Sequence, residues 1–352
     1  MFPVERALLI INRSAGTGQG GLVTERLAAH LEQGLGALCV VRVESVSSHA
    51  DARACAAGFS SESEAPALVV AGGGGGTLRA VIEGIYDVHA TEWVRVGALR
   101  LGSGNILAKQ FGVPNDPVVG LHGLLTNLKA ERTVPCCVMC CETWTSSGDR
   151  QVHHAVTLAG LGQFGRIPSD LARWHEHFPV LHKIAAQWFG VEKFTNVEYA
   201  LAFFIRSLCC VLSPKRAETV EIRAEQFRLL SGIVMNFPIA ALPFKPDVTV
   251  DDEALSVHLI PLSLPPHTRR IRIEKNQPLD IRFIDRDQVE FFLDEDPVTT
   301  YKQLRLSVAG SIAFVPGPDY RGVPHEFACM CFGYRRQWQE HRSLCAAHYF
   351  SR

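Results

Sequence analysis

The chain has 352 residues, 47% of them hydrophobic, with 35 basic against 36 acidic side chains and a formal net charge of −1. That length suits two domains around a sizeable core. The balanced charge excludes a basic field for nucleic acid and a global attraction to anionic membranes, and no apolar run reaches the roughly 20 residues that span a bilayer. The opening stretch MFPVERALLIINR lacks the basic flank and cleavage site of a secretory signal, so a cytoplasmic protein is expected. In that compartment the 11 cysteines, partly in doublets at 136–137, 140–141 and 209–210, are read as mostly free, buried thiols.

From Ala7 onward, strand and helix alternate. ALLIIN is a strand, followed by a helix over TERLAAHLEQGLG that glycines close. ALCVVRVESV, PALVVAGG and VRVGALRLG read as further strands, with HADARACAAGF and TLRAVIEGIYDV as the helices between them. ILAKQFGVP and PVVGLHGLLTNLKA supply two more helices. This alternation predicts an α/β N-terminal domain over residues 1–132, with a parallel sheet and helices on both faces.

The stretch that organises this half is Leu68 to Ile85. The apolar run Leu68, Val69, Val70 and Ala71 suits a buried strand, and five consecutive glycines follow it, ahead of a helix that starts near Thr77. Glycines let backbone approach a ligand closely, and a helix N-terminus presents free N–H groups to an anion. Gly73, Gly74, Gly75, Gly76 and Thr77 are therefore candidate phosphate-binding residues. Two further strand-to-glycine loops reinforce the pattern, one carrying Asn12, Gly16 and Gly18, the other Gly102, Ser103, Gly104 and Asn105. Three such loops would gather at one edge of a parallel sheet, where open α/β sheets bind ligands. Asn12 could equally make a turn, and Ser103, Asn105 or Thr77 could cap a helix.

After Arg132 the pattern changes. TVPCCVMCCETW and the stretch around VHHAVTLAGLG read as strands joined by a polar Ser-Ser-Gly-Asp turn. Residues 170–212 read as helices interrupted at Pro179, with Leu181, Ile184 and Trp188 on one face, suited to core packing or to a lipid-acceptor surface. Six strand segments follow, from TVEIRAE to VEFFLDEDP, and RLSVAGSIAFVPG would return toward the first half. A β-rich, sandwich-like domain is thus expected over 133–316, with a tail of undefined structure at 317–352. Cys137 and Cys140 have C-x-x-C spacing, and Cys329, Cys331, His341, Cys345 and His348 cluster in the tail, but neither group has the paired spacing of a zinc site.

The motifs NRSAG (12–16), GGGGTLRA (73–80), LGSGN (101–105) and LDEDP (293–297) together resemble the diacylglycerol kinase catalytic-domain superfamily. That superfamily includes YegS-like and bacterial diacylglycerol kinases and the sphingosine and ceramide kinases, and NAD kinases are more remote relatives. Its motifs run NPxxG, GGDGTxNE, PxGTxN or GSGN, and a DGEP-like segment; the resemblance covers about residues 7–316. It implies an ATP-dependent lipid kinase that uses Mg2+ and phosphorylates a diacylglycerol-like or sphingoid hydroxyl between the domains. By resemblance, Asp294 is the candidate general base, with Asp296 a second catalytic carboxylate. VDDEALSV resembles a DDG segment where a structural magnesium can sit, which makes Asp252 a candidate metal ligand. The expected partner is a membrane lipid met in transient surface contact, with no nucleic acid; a homodimer is left open.

The departures are specific. The aspartate of GGDGT is Gly75, the Asn-Glu pair after it is Arg79-Ala80, and the DGE is Asp294-Glu295-Asp296. These motivate an alternative, a nucleotide-binding protein with a regulatory role and no turnover. An NAD-kinase-like enzyme fits the GSGN and LDEDP segments less well. A dinucleotide dehydrogenase fits least, since no second dinucleotide half follows.

Overall fold

The computed structural model describes residues 4–13, 20–102, 105–178, 191–239, 242, 245–263, 267–294 and 296–320. The N-terminal half is built on β1 (Arg6–Asn12), β2 (Val40–Val46), β3 (Ala67–Gly73) and β4 (Val94–Arg100), in the order β4-β3-β1-β2 and parallel throughout. Alternate residues of the central strands feed two separate cores. Leu8, Ile10, Val69 and Ala71 face the layer of α2 (His49–Ser61) and α3 (Gly75–Asp87). Leu9, Ile11, Leu68 and Val70 face α1 (Gly20–Leu35) and α5 (Pro117–Lys129). Burial on both faces is why these strands read as continuous apolar runs. The short α4 (Ile106–Gln110) follows the β4 loop.

Helix α3 begins at Gly75, two residues before the start expected from sequence. Its first turn makes no intrahelical demand on its own N–H groups, so glycines serve there although they would weaken a helix interior. Helices α2 and α3 approach closely at Gly84, where a Cβ would lie 2.3 Å from the Arg53 carbonyl oxygen. That contact brings the start of α2 beside the face of α3 that turns toward the second half.

The C-terminal half is strand-rich and antiparallel. It contains β5 (Val134–Trp144), β6 (Arg150–Ala155), β7 (Leu158–Gly162), α6 (Ile167–His177), α7 (Val191–Leu212), β8 (Glu218–Ile222), β9 (Glu225–Met235), β10 (Ala254–Pro261), β11 (Arg269–Glu274), β12 (Leu279–Phe283), β13 (Gln288–Leu293), β14 (Asp296–Tyr301) and β15 (Gln303–Phe314). Cys137, Met139 and Cys141 of β5 join Val220, Leu255, Ile281, Phe291 and Leu306 in one core, while Cys136 and Val138 turn to the other side. The period of two along a strand thus sends Cys137 and Cys140 to opposite faces, which disposes of the C-x-x-C spacing as a metal site.

All fifteen strands form one hydrogen-bonded sheet among the described residues. The seam is β15. It runs antiparallel to β5 from Leu304 to Phe314, and its last residues, Ala313 and Phe314, pair in parallel with Arg95 and Val96 of β4. The two halves therefore share a continuous sheet.

Candidate active site

The ends of β1, β3 and β4 meet at one edge of the parallel sheet. In the order β2-β1-β3-β4 the connections change direction between β1 and β3, the crevice where such sheets bind ligands. The Asn12 Nδ2 at the end of β1 donates to Thr77 Oγ1 at 2.9 Å, crossing that crevice. Thr77 is buried and stands in the first turn of α3. Gly74 occupies the N-cap without a side-chain cap, and the first intrahelical bond runs from Leu78 N to Gly74 O. The N–H groups of Gly75, Gly76 and Thr77 precede that bond, an arrangement suited to an anion.

The β4 loop is drawn over this helix start. The Leu101 and Gly102 N–H groups both donate to Gly73 O, at 3.2 and 3.1 Å. Asn105 takes the left-handed conformation (φ 51), and its side-chain amide donates back to Gly102 O instead of capping α4. Its side chain therefore shapes the loop, which the cap reading does not describe. Ser103 and Gly104 lie outside the described residues.

The two carboxylates of LDEDP part company. Asp294 sits in the β13–β14 turn at φ 48, between the paired residues Leu293 and Asp296. Its side chain is buried: Oδ2 accepts the Val156 N–H at 2.7 Å, and Oδ1 accepts those of Thr157 and Leu158 at 2.8 and 3.0 Å. Burial raises its carboxyl above the ordinary value, with the three donors pulling the other way. Asp294 anchors the turn, and both of its oxygens, which the sequence-based reading assigned to a general base, accept backbone N–H groups. Asp296 is the carboxylate that reaches the cleft. Its side chain is 42% exposed, and its oxygens lie 3.0 and 3.1 Å from where a Gly76 Cβ would stand.

A charged network holds this arrangement across the two halves. Arg79, on α3, is buried. Its Nη1 donates to Leu293 O at 3.2 Å and faces Asp296 Oδ2 at 3.4 Å; its Nε also reaches His154 O at 3.2 Å. Its Nε and Nη2 both donate to Glu83 Oε1, at 3.2 and 3.1 Å. That oxygen also accepts the His154 N–H at 3.1 Å. Glu83 Oε2 takes His49 Nε2 at 2.8 Å and Arg53 Nη1 at 3.3 Å. Burial pushes the Glu83 carboxyl up, but the His49 hydrogen bond, the Arg79 charge and the His154 N–H outweigh it and hold the group down to about 2. Hydrogen bonds to Asp296 and Glu83 push His49 up to about 9. His154, stacked on Tyr86 at 4.4 Å, is pushed down by burial to about 4.

Residues 6–137 match the family described as the diacylglycerol kinase catalytic domain. The domain belongs to the diacylglycerol kinase catalytic-domain superfamily. The fold agrees over nearly the whole chain. A diacylglycerol kinase from Bacillus anthracis str. Sterne is similar at 16% identity and a TM-score of 0.57, over 91% of this chain and 100% of that one. A second structure from the same bacterium gives 17% identity and a TM-score of 0.60, again over 91% and 100%. No curated protein matches the chain.

In this diacylglycerol kinase-type domain the family aspartate position, Gly75, has room: among the described residues a Cβ there would meet only the Asp294 carbonyl oxygen, at 3.4 Å. The N–H groups of Gly75, Gly76 and Thr77 suit the phosphates of ATP, and beside them the Gly102 backbone packs on Gly74, where a Cβ on Gly102 would stand 2.4 Å from Gly74 Cα. The donor set for a protein-held magnesium is different. Among the described residues no group of three or more His, Cys, Asp or Glu side chains is placed to hold a metal ion, so magnesium fits here as an ion carried by the phosphates. Asp252, the sequence-based metal ligand, closes its own turn: its carboxylate accepts the Thr249 N–H at 2.8 Å, and no ligand set surrounds it among the described residues. Gly16, Gly18, Leu181, Ile184, Trp188, Glu295 and the Cys/His cluster from Cys329 to His348 lie outside the described residues. Sequence reading missed His49, Arg53 and Glu83. The available signal was Arg79 and Glu83, an i,i+4 ion pair on an otherwise buried helix.

Proposed function

We propose that the chain is an ATP-dependent lipid kinase whose acceptor hydroxyl meets the phosphate cradle beside Asp296. ATP, with magnesium on its phosphates, supplies the transferable phosphoryl group. Backbone N–H groups from Gly75 to Thr77 bind and orient those phosphates, and the Gly102 loop covers them. Asp296 Oδ1 accepts the hydroxyl proton as the lipid oxygen–phosphorus bond forms. The bond from the γ-phosphorus to the β–γ bridging oxygen breaks, and ADP leaves with that oxygen. Phosphoryl transfer depends chiefly on positioning and charge neutralisation, which the fixed cradle and a clamped carboxylate serve. The observation that carries this reading is the Asp296 carboxylate held against the first turn of α3. The acceptor class is a diacylglycerol-like lipid or a long-chain amino alcohol.

A lipid surface is met through α7. Val197, Leu201, Phe204, Leu208, Val211 and Leu212 are all exposed and recur at helical spacing, an apolar stripe about 22 Å long. The opposite side of α7 packs on α6, where the Arg206 guanidinium pairs with Asp170, and α6 in turn touches β14, the strand that begins at Asp296. No described helix is long and apolar enough to cross a membrane, so contact through such a face is peripheral.

A second reading, nucleotide binding without turnover, is favoured by Gly75 and by the engagement of Asp296 Oδ2 with Arg79 and His49. One assay separates the two. Labelled γ-phosphate from ATP and magnesium is offered with an extracted lipid mixture, and ATP binding is measured separately by calorimetry. Lipid-soluble label that disappears in Asp296→Asn supports the kinase. ATP binding without label for any acceptor supports the binding protein.

A further inference from the structure

We propose that His49 is a positioning residue of this site: wedged between the buried Glu83 carboxylate and the cleft-facing Asp296 carboxylate, it fixes the orientation in which Asp296 meets the acceptor. For its activity readout this rests on the lipid-kinase reading above.

The geometry is that of a bridge. His49 is the first residue of α2, and its backbone is set by the Ser48 cap, whose Oγ accepts the Asp51 N–H at 3.1 Å. Its two ring nitrogens face two different carboxylates: Nε2 is 2.8 Å from Glu83 Oε2, and Nδ1 is 3.5 Å from Asp296 Oδ2. A neutral imidazole has one donor and one lone pair, so it would set that lone pair against one of the carboxylates. The imidazolium donates to both, and two carboxylates keep the ring in that form through neutral pH.

The inner end of the bridge is rigid. Glu83 is buried and held by Arg79, by the His154 N–H and by Arg53, which is itself locked by two bonds to Asp87 at 2.6 and 2.7 Å. The charged and titratable groups of the network around His49 are Arg53 on α2, Arg79, Glu83 and Asp87 on α3, His153 and His154 on β6, and Asp296 on β14. The outer end is the reactive one. Arg79 Nη1 and His49 Nδ1 reach the same oxygen of Asp296, Oδ2. Holding one oxygen fixes the carboxylate plane and leaves Oδ1 for the hydroxyl proton. Without His49 the half-exposed Asp296 keeps a single, long contact to Arg79 and can turn about its side chain. The phosphate cradle, built from backbone, is untouched. A positioning loss of this kind falls on kcat, and misplacement by about 1 Å costs on the order of a hundredfold.

The test uses the full chain with His49→Gln, Glu83→Gln and Asp296→Asn, each checked for folding by its melting curve. His49→Gln is expected to lower kcat about a hundredfold, to leave the KM for ATP within about twofold, and to remove the fall of kcat at alkaline pH where the wild-type ring loses its proton. An unchanged kcat, or a rise in the KM for ATP that accounts for the loss, would overturn the role. The histidine ring signals are followed by NMR in parallel, with His49 assigned by its absence from His49→Gln. Its titration midpoint is expected well above that of an ordinary histidine, and to fall in Asp296→Asn. If no acceptor is phosphorylated by the wild type, the kinase reading fails while this titration still decides the bridge: a midpoint indifferent to Asp296→Asn overturns it.

Discussion

A Cβ on Gly102 would stand 2.4 Å from the Cα of Gly74 and 2.8 Å from its backbone nitrogen. Two loops that follow different strands are packed backbone against backbone, and nothing flexible lies between them to give way. Gly102→Ala is expected to push the β4 loop off the start of α3, cost about 1–3 kcal/mol of stability and weaken ATP binding at least about tenfold. Calorimetric titration of the variant with ATP checks this. Gly75→Ala is the contrast, because its new methyl makes an ordinary 3.4 Å contact; its melting point should stay level or rise.

The same space at Gly75 admits a carboxylate. Gly75→Asp should fold at least as stably as the parent, since an acidic group in the first turn of a helix adds about 0.3–1 kcal/mol. It should also make ATP binding more dependent on magnesium, because a bare carboxylate repels phosphate and an intervening cation reverses that. Binding isotherms with magnesium and with chelator test the point. Lipid phosphorylation that rises in the variant would mark the parent as an enzyme weakened at this position.

Asp294 and Asp296 should behave in opposite ways. Asp294→Asn loses a buried carboxylate that serves three backbone N–H groups, and a stability loss of about 2–4 kcal/mol is expected. Asp296→Asn removes a partly exposed charge whose partner Arg79 keeps Glu83. Its stability should change by less than about 1 kcal/mol, while lipid phosphorylation falls by about 10²–10⁴. Denaturant melts beside the transfer assay separate the two, and equal stability losses would return the anchor assignment to question.

Stability should carry the signature of the His49–Glu83 pair. His49 is raised from 6.5 to about 9 on folding, so its contribution is complete below 6.5 and is lost as pH rises through about 9. Glu83 is lowered from 4.5 to about 2, so its contribution is complete above 4.5 and is lost as pH falls toward about 2. Both act fully between 4.5 and 6.5. Between pH 7 and 10 the wild type should lose more thermal stability than His49→Gln does, as differential scanning fluorimetry would register.

The α7 stripe predicts a surface effect without a folding effect. Phe204 and Leu208 are exposed, so replacing both with serine should move the melting point little. Partition onto lipid vesicles should fall by about tenfold or more, since each buried large apolar side chain is worth about 1.5–3 kcal/mol. Unchanged sedimentation with vesicles would remove α7 as the contact.

Much of this was legible in the chain. The run from Leu68 to Ala71 reads as a doubly covered strand because both its faces are buried. The five glycines that follow can only be a place where backbone is brought close, and the alternation of strand and helix dictates a parallel sheet. These are local consequences of period and steric size, and a sequence carries them in full. The partners of the charged groups are of another kind. Nothing in LDEDP distinguishes the two aspartates, and pleat and turn geometry send one inward to the 156–158 backbone and the other out to α3. His49 and Glu83 are 34 positions apart and Glu83 and His154 a further 71. Their meeting depends on the close approach of α2 to α3 and on β15 joining the two halves of the sheet. Electrostatic contacts act through space and leave no period in the chain, so the sequence determined the glycine loops at the sheet edge, and only the tertiary structure decided which carboxylate stands beside them.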